Sequence, residues 1–199
     1  MDNMNTVQEF YDLYPAIVVT SQDEVHKLEA TDFERLCQAW SMETFQYAQV
    51  TRGPTNKGDQ GVDIEVVVGG MTPMRIVIQA KCWDPCGANV SIKVVNETAG
   101  AAVARRAGYA IVITSGGFTK EAKAQAMRST AEGNVKMKLL DGEEFWGSLL
   151  QLPEYKVRMN EKIEIKSPPQ STAALGLQDY GHEQKVFTNH GDFTFDSKI

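Results

Sequence analysis

Cysteine is scarce in this 199-residue chain, which has only Cys37, Cys82 and Cys86. An odd number of thiols argues against a disulfide framework. Cys82 and Cys86 have CxxxC spacing, but no second cysteine pair or nearby histidine completes a zinc site, so reduced structural thiols are expected. Histidine is equally sparse: His26, His182 and His190 lack metal-ligand spacing and receive no role. Long apolar runs are also missing. Ala110 to Ile113 and Ile76 to Ile78 are far too short to cross a bilayer. The beginning of the chain, with Asp2, Glu9 and Asp12, lacks the basic and apolar regions of a signal peptide. A cytoplasmic protein without membrane contact is the expectation.

An excess of positive charge is absent too, since the net charge is −6. Divided along the chain, residues 1–30 carry −5, residues 31–150 are neutral and residues 151–199 carry −1. The total gives no support for a polyanionic partner, although a neutral middle segment can still present a basic face to phosphate. The length suits one domain with extensions rather than two full domains. We therefore divide it into an N-terminal arm (1–30), a central domain (31–152) and a C-terminal extension (153–199).

The central segment alternates helix and strand signals. Thr31 to Trp40 begins with cap-capable residues and has apolar groups at 33, 36, 37 and 40, which predicts an amphipathic helix. Phe45 to Val50 suits a strand, and Arg52 to Gly61 a loop. Val62 to Val68 and Met74 to Ala80 are β-branched runs joined through Gly69-Gly70, predicting an antiparallel hairpin. A helix follows from Ser91 to Ala107, stopped by Gly108, with Val94, Val95, Ala101 and Ala102 as its buried stripe. Then come a strand (Tyr109 to Thr114), a helix (Thr119 to Ala131), a strand (Val135 to Leu140) and a helix (Glu143 to Leu150). This order predicts an α/β fold with a mixed sheet flanked by helices. Leu152-Pro153 marks the expected end of the domain, with one strand, Val157 to Ile165, beyond it. The scattered aromatics Tyr180, Phe187, Phe193 and Phe195 suit either docking on the domain or a second subunit, or a partly disordered tail.

One arrangement carries chemistry. Gly58-Asp59-Gln60-Gly61-Val62-Asp63 is a turn-forming segment whose last acid opens an apolar strand; Ile76-Val77-Ile78 then leads into Gln79-Ala80-Lys81. Residues 79 and 81 of a strand share a face, so Gln79 and Lys81 can meet Asp63 at the mouth of the hairpin. Hydrolysis of a phosphodiester requires a divalent cation, and hard cations want oxygen ligands. Asp63 offers a carboxylate, Gln79 an amide oxygen and Ala80 its carbonyl, while Glu34 on the preceding helix can bring a second carboxylate. Lys81 can orient or deprotonate water, or stabilise developing charge. Asp59 suits a supporting place behind Asp63 or an Asx turn. Each residue also has an ordinary reading as a loop cap, a polar strand position or a solvated lysine, and the triplet alone does not choose. Downstream, Ser115 and Thr119 flank Gly116-Gly117 between a strand and a helix, where they could hold a phosphate or simply cap the helix. Lys93, Arg105 and Arg106 can touch a phosphate backbone or form a solvated face.

Taken together, these blocks resemble the catalytic domain of the Mrr-like restriction endonucleases, within the PD-(D/E)xK nuclease superfamily. The blocks run from Phe33-Glu34 through Gly58 to Asp63 and Val77 to Lys81. They continue through Ile113-Thr114-Ser115-Gly116-Gly117-Phe118-Thr119, Ala122 and Ala126 to Leu139-Leu140-Asp141-Gly142. The resemblance implies a restriction-endonuclease-like core and Mg²⁺-dependent cleavage of DNA, with Mn²⁺ as a substitute. Carried over, Asp63 is the metal-binding acid, Gln79 stands where most of the superfamily has Glu or Asp, an exchange similar to the Gln-x-Lys form of Mrr-like members, Lys81 is the catalytic lysine and Glu34 the helix acid. Cys82 departs from the basic residue expected after that lysine. Restriction or defence against foreign DNA is the implied role, and a homodimer is expected because cutting both strands needs two sites. Target recognition could also come from a separate protein. The alternatives are an inactive nuclease-fold module that binds nucleic acid or protein, and an RNA-directed nuclease of the same superfamily.

Overall fold

The computed structural model describes residues 17–45, 48–52, 62–69, 73–83, 87, 89–133 and 135–166. The β-branched runs form β2 (Ile64–Val68) and β3 (Met74–Lys81), paired antiparallel with Ile64 opposite Ile78 and Val68 opposite Met74. On the outer side of β2 lies β1 (Ala48–Arg52), also antiparallel. On the other side of β3 the direction changes. β4 (Tyr109–Thr114) runs parallel to β3, and β5 (Lys136–Leu140) parallel to β4. The sheet is five-stranded, in sequential order, and β3 joins its antiparallel and parallel halves.

Helices α1 (Gln22–His26) and α2 (Ala30–Thr44) precede the sheet, and α3 (Ile92–Ala104) and α4 (Lys120–Ala131) make the parallel crossovers. α5 (Gly142–Leu149) and α6 (Pro153–Lys166) follow it. Strand alternation divides the core. Ile64, Ile76, Ile78, Ala80, Ile111 and Ile113 pack against Phe33, Leu36, Trp40, Phe145, Leu149 and Tyr155. On the opposite face Val77 and Ala110 meet Ala101 and Ala102, and Val112 meets Val95, Ala122 and Ala126. Small alanines let α3 and α4 lie close to the sheet. The first face is filled by rings: Phe33 and Trp40 approach Phe145 edge-on at 5.6 and 6.1 Å between centroids.

Three expectations are corrected. The strand foreseen over Val157 to Ile165 is part of α6: Tyr155 and Met159, four apart, face the core, whereas Val157 and Ile163 are exposed. The first edge strand begins at Ala48, and Phe45 is instead a buried residue closing α2. Gly108 does not end α3. The helix closes at Arg105 through bonds from Arg106 N–H to Val103 O (3.0 Å) and Ala107 N–H to Ala102 O (2.9 Å), a Schellman motif. Its left-handed position is taken by Arg106, at φ 54°. An exposed arginine there costs about 1 kcal/mol relative to glycine. Arg106→Gly should therefore raise the melting temperature by about 2–4 °C; a fall in a thermal melt would contradict this.

The segment before α1 is part of the same core. Val19 and Val25 are buried, and the Tyr155 hydroxyl takes the Val19 N–H (3.2 Å) and donates to the Val19 carbonyl (2.9 Å). Burial pushes that phenol up to about 12.

Candidate active site

The β2–β3 ladder runs out at one end of β3, and the polar residues gather there. Asp63 lies one residue before β2, across from Gln79, and its N–H donates to Ile78 O at 3.0 Å. It sits at a bend. Val62 and Ile64, which a straight strand would put on one face, belong to clusters on opposite faces. The next donor along β3, the Ala80 N–H, meets the Asp63 carboxylate oxygen Oδ2 at 2.7 Å in place of a backbone carbonyl. Gln79 Nε2 donates to the same Oδ2, and also to the Ala80 carbonyl at 3.3 Å. Both side chains are buried, Asp63 at 8 % exposure and Gln79 at 3 %. An ionised carboxylate so far from water needs such donors.

Lys81, half-buried, ends the strand opposite Thr114, and its carbonyl accepts from Ser115 N–H at 3.2 Å. Glu34 comes from α2, also half-buried. Cys37, three residues along the same helix, is fully buried. Burial pushes the Cys37 thiol well up, and the Asp63 and Glu34 carboxylates push it further. One buried group thus feels both acids, one from the helix and one from the strand entry. Cys82 is raised by burial as well, and its thiol donates to Leu28 O at 3.1 Å. Protonated thiols in such surroundings are poor nucleophiles, as structural cysteines should be.

The other candidates hold these places. The Ser115 hydroxyl is buried and committed to Trp83, accepting its N–H (2.7 Å) and donating to its carbonyl (2.8 Å), so it is closed to a phosphate. Thr119 is the plain cap of α4, taking the Ala122 N–H at 3.2 Å. Lys93 is exposed near the start of α3, with its ammonium 3.8 Å from Glu97 one turn on. Arg105 is no solvated residue: it and Arg75 both hold the buried Glu65 carboxylate, Arg105 at 3.6 Å. Asp59 and Cys86 lie outside the described residues. The Ser115–Trp83 bridge was missed, and no motif spacing announces it.

Whether a cation suits this place is decided by its donors. Asp63 Oδ2 and Ala80 O, both hard oxygen atoms, lie around one point marked by Gln79 Nε2. Among the described residues no three His, Cys, Asp or Glu side chains cluster to hold a metal. Such a set fits an ion that keeps several of its own waters and takes one or two carboxylates, as Mg²⁺ does.

A mixed sheet flanked by helices on both faces, with an antiparallel hairpin leading into parallel strands, is a restriction-endonuclease-like core. The chain belongs to the restriction endonuclease family defined by the Mrr catalytic domain, whose sequence model matches residues 25–149. Among solved structures it is similar to the MspJI restriction endonuclease in complex with a 27-mer oligonucleotide. Identity is 20%, the TM-score is 0.54, and the match covers 72% of this chain and 34% of that one. Similarity to the restriction endonuclease FokI is 15% in identity with a TM-score of 0.46, over 73% of this chain and 29% of that one. The match thus spans about a third of the length of those enzymes. No curated protein matches.

Proposed function

We propose that this chain is a Mg²⁺- or Mn²⁺-dependent DNA endonuclease acting in restriction or defence. The observation that carries this reading is the convergence of Asp63 Oδ2 and Ala80 O beside Gln79, two residues before Lys81 on the same strand. Asp63, the Ala80 carbonyl and Gln79 would hold the cation, with Glu34 of α2 as the helix acid. Bound there, the ion would supply positive charge against the phosphate and acidify a water. The chain's own residues do the rest. The Ala80 N–H fixes the Asp63 carboxylate, and the 79–81 spacing sets Lys81 on the face of Gln79. From there the lysine orients the attacking water or steadies charge on the phosphate oxygens. The oligonucleotide bound by MspJI supports a nucleic-acid substrate. A homodimer would bring the two sites that double-strand cleavage needs. Sequence recognition would come from the core, the C-terminal extension or a separate protein.

The test is cleavage of supercoiled plasmid with Mg²⁺, with Mn²⁺ and with EDTA, alongside single-stranded DNA and RNA. Lys81→Met should reduce cleavage by about 10²–10⁴-fold, the usual contribution of a positioned proton-transfer group, and leave the melting temperature unchanged. Equal cleavage by Lys81→Met, or none by the parent chain on any substrate, would remove the enzyme reading and leave a binding module of the same fold.

A further inference from the structure

Gln79 is the neutral amide of the site, and its orientation is dictated by chemistry. Asp63 Oδ2, already taking the Ala80 N–H at 2.7 Å, and the carbonyl of Ala80 can only accept. The nitrogen end of Gln79 therefore faces both, lying 3.3 Å from Ala80 O. The partial positive charge of that N–H group thus stands between the same two oxygens that a cation would use. Building on the nuclease reading above, we infer that Gln79 is a resident stand-in for the cation: its N–H end holds the ligand oxygens together without metal, and the amide turns over to present Oε1 when a divalent ion enters.

The geometry allows this without moving the backbone. Rotation about the last side-chain torsion of glutamine exchanges nitrogen for oxygen, and that torsion is broad. The Ala80 N–H keeps the Asp63 carboxylate in place through the exchange. A glutamate at 79 would behave differently. It would set a second carboxylate against Asp63 where both residues are almost sealed from solvent, at 3 % and 8 % exposure, and where salt screens little. Such a site is strained until an ion arrives and then holds it firmly. With the amide, the chain is stable empty and fills only when the ion is plentiful. The substitution at 79 thus exchanges affinity for stability of the metal-free protein.

The experiment compares the full chain with Gln79→Glu in two ways that need no DNA. In EDTA, Gln79→Glu should melt below the parent; on titration with Mn²⁺ it should gain more in melting temperature, with an affinity about tenfold higher or more, as an added charged ligand gives. On the parent chain, ¹⁵N labelling of glutamine side chains reports directly, because the NH₂ pair lost in Gln79→Met should shift on saturation with Mg²⁺. An NH₂ pair that stays in place while Mg²⁺ binds saturably overturns the stand-in role and leaves the nuclease reading intact. So does a Gln79→Glu protein that is as stable in EDTA as the parent and binds Mn²⁺ no more tightly. Absence of binding by parent and variant alike overturns both.

Discussion

Asp63→Asn is expected to lower DNA cleavage by about three orders of magnitude, about 4 kcal/mol of transition-state stabilisation, while the protein remains folded. The prediction rests on two separable duties of one carboxylate. Structurally, Oδ2 receives the Ala80 N–H where the β2–β3 ladder lacks a backbone partner, and the asparagine carbonyl oxygen can take that bond. Electrostatically, under the proposed reading the carboxylate would be the charged ligand at the mouth of the hairpin, and asparagine removes the charge with little change of shape. Asp63→Ala would lose both and leave a buried N–H without an acceptor, at about 1–3 kcal/mol. The informative pair is therefore asparagine, with normal melting and greatly reduced cleavage, against alanine, which loses cleavage and also melts lower. Cleavage by Asp63→Asn within tenfold of the parent would mean that the reaction does not pass through this carboxylate.

The second large effect concerns Gly142, the first residue of α5. A Cβ built there would lie 2.0 Å from the Ser115 carbonyl oxygen and 2.8 Å from its carbon, both backbone atoms that cannot swing aside. The contact is closed by the Gly142 N–H donating to Gly116 O at 2.8 Å. Gly142→Ala must therefore push α5 off the end of β4, at a cost of about 3 kcal/mol, near the upper end for overpacking, and a fall of about 10 °C in melting temperature. Since Ser115 N–H also bonds the Lys81 carbonyl, activity should decline with stability. Gly100 is the control: exposed within α3, its added Cβ would meet nothing within 4 Å, so Gly100→Ala should stabilise by about 0.5–1 kcal/mol. Differential scanning calorimetry on the two variants gives opposite signs if close approach, rather than glycine itself, is what matters.

These cases show why some of the molecule could be read from the chain and some could not. The hairpin was legible because β-branched runs flank Gly69-Gly70, and the 79–81 relation because strand period two is strict. Helix α6 was not. Val157, Met159 and Ile163 fall on an alternating pattern, while the contact that decides the matter is made by Tyr155 with residues near the other end of the described chain. Pro153, read as a boundary, is the preorganised first residue of a helix. Ser115 illustrates a different limit. Its neighbours Gly116 and Gly117 suit a phosphate loop, but its hydroxyl is claimed by Trp83, 32 residues away. Arg106 occupies a position where a glycine signal was sought two residues later, because a helix can close on a costly residue when the bonds around it are good.

The hydroxyl of Tyr155, bonded to both polar backbone atoms of Val19 across 136 residues, also has a consequence for how the chain is made. During synthesis the segment around Val19 leaves the ribosome early and must wait for α6 before its polar groups are paired. Contacts of such sequence separation are reached late and slowly in folding. A shortened chain ending at Leu152 would keep all five strands of the sheet yet leave that segment without its clasp. Fusing this module to a further domain should therefore place the junction beyond Lys166.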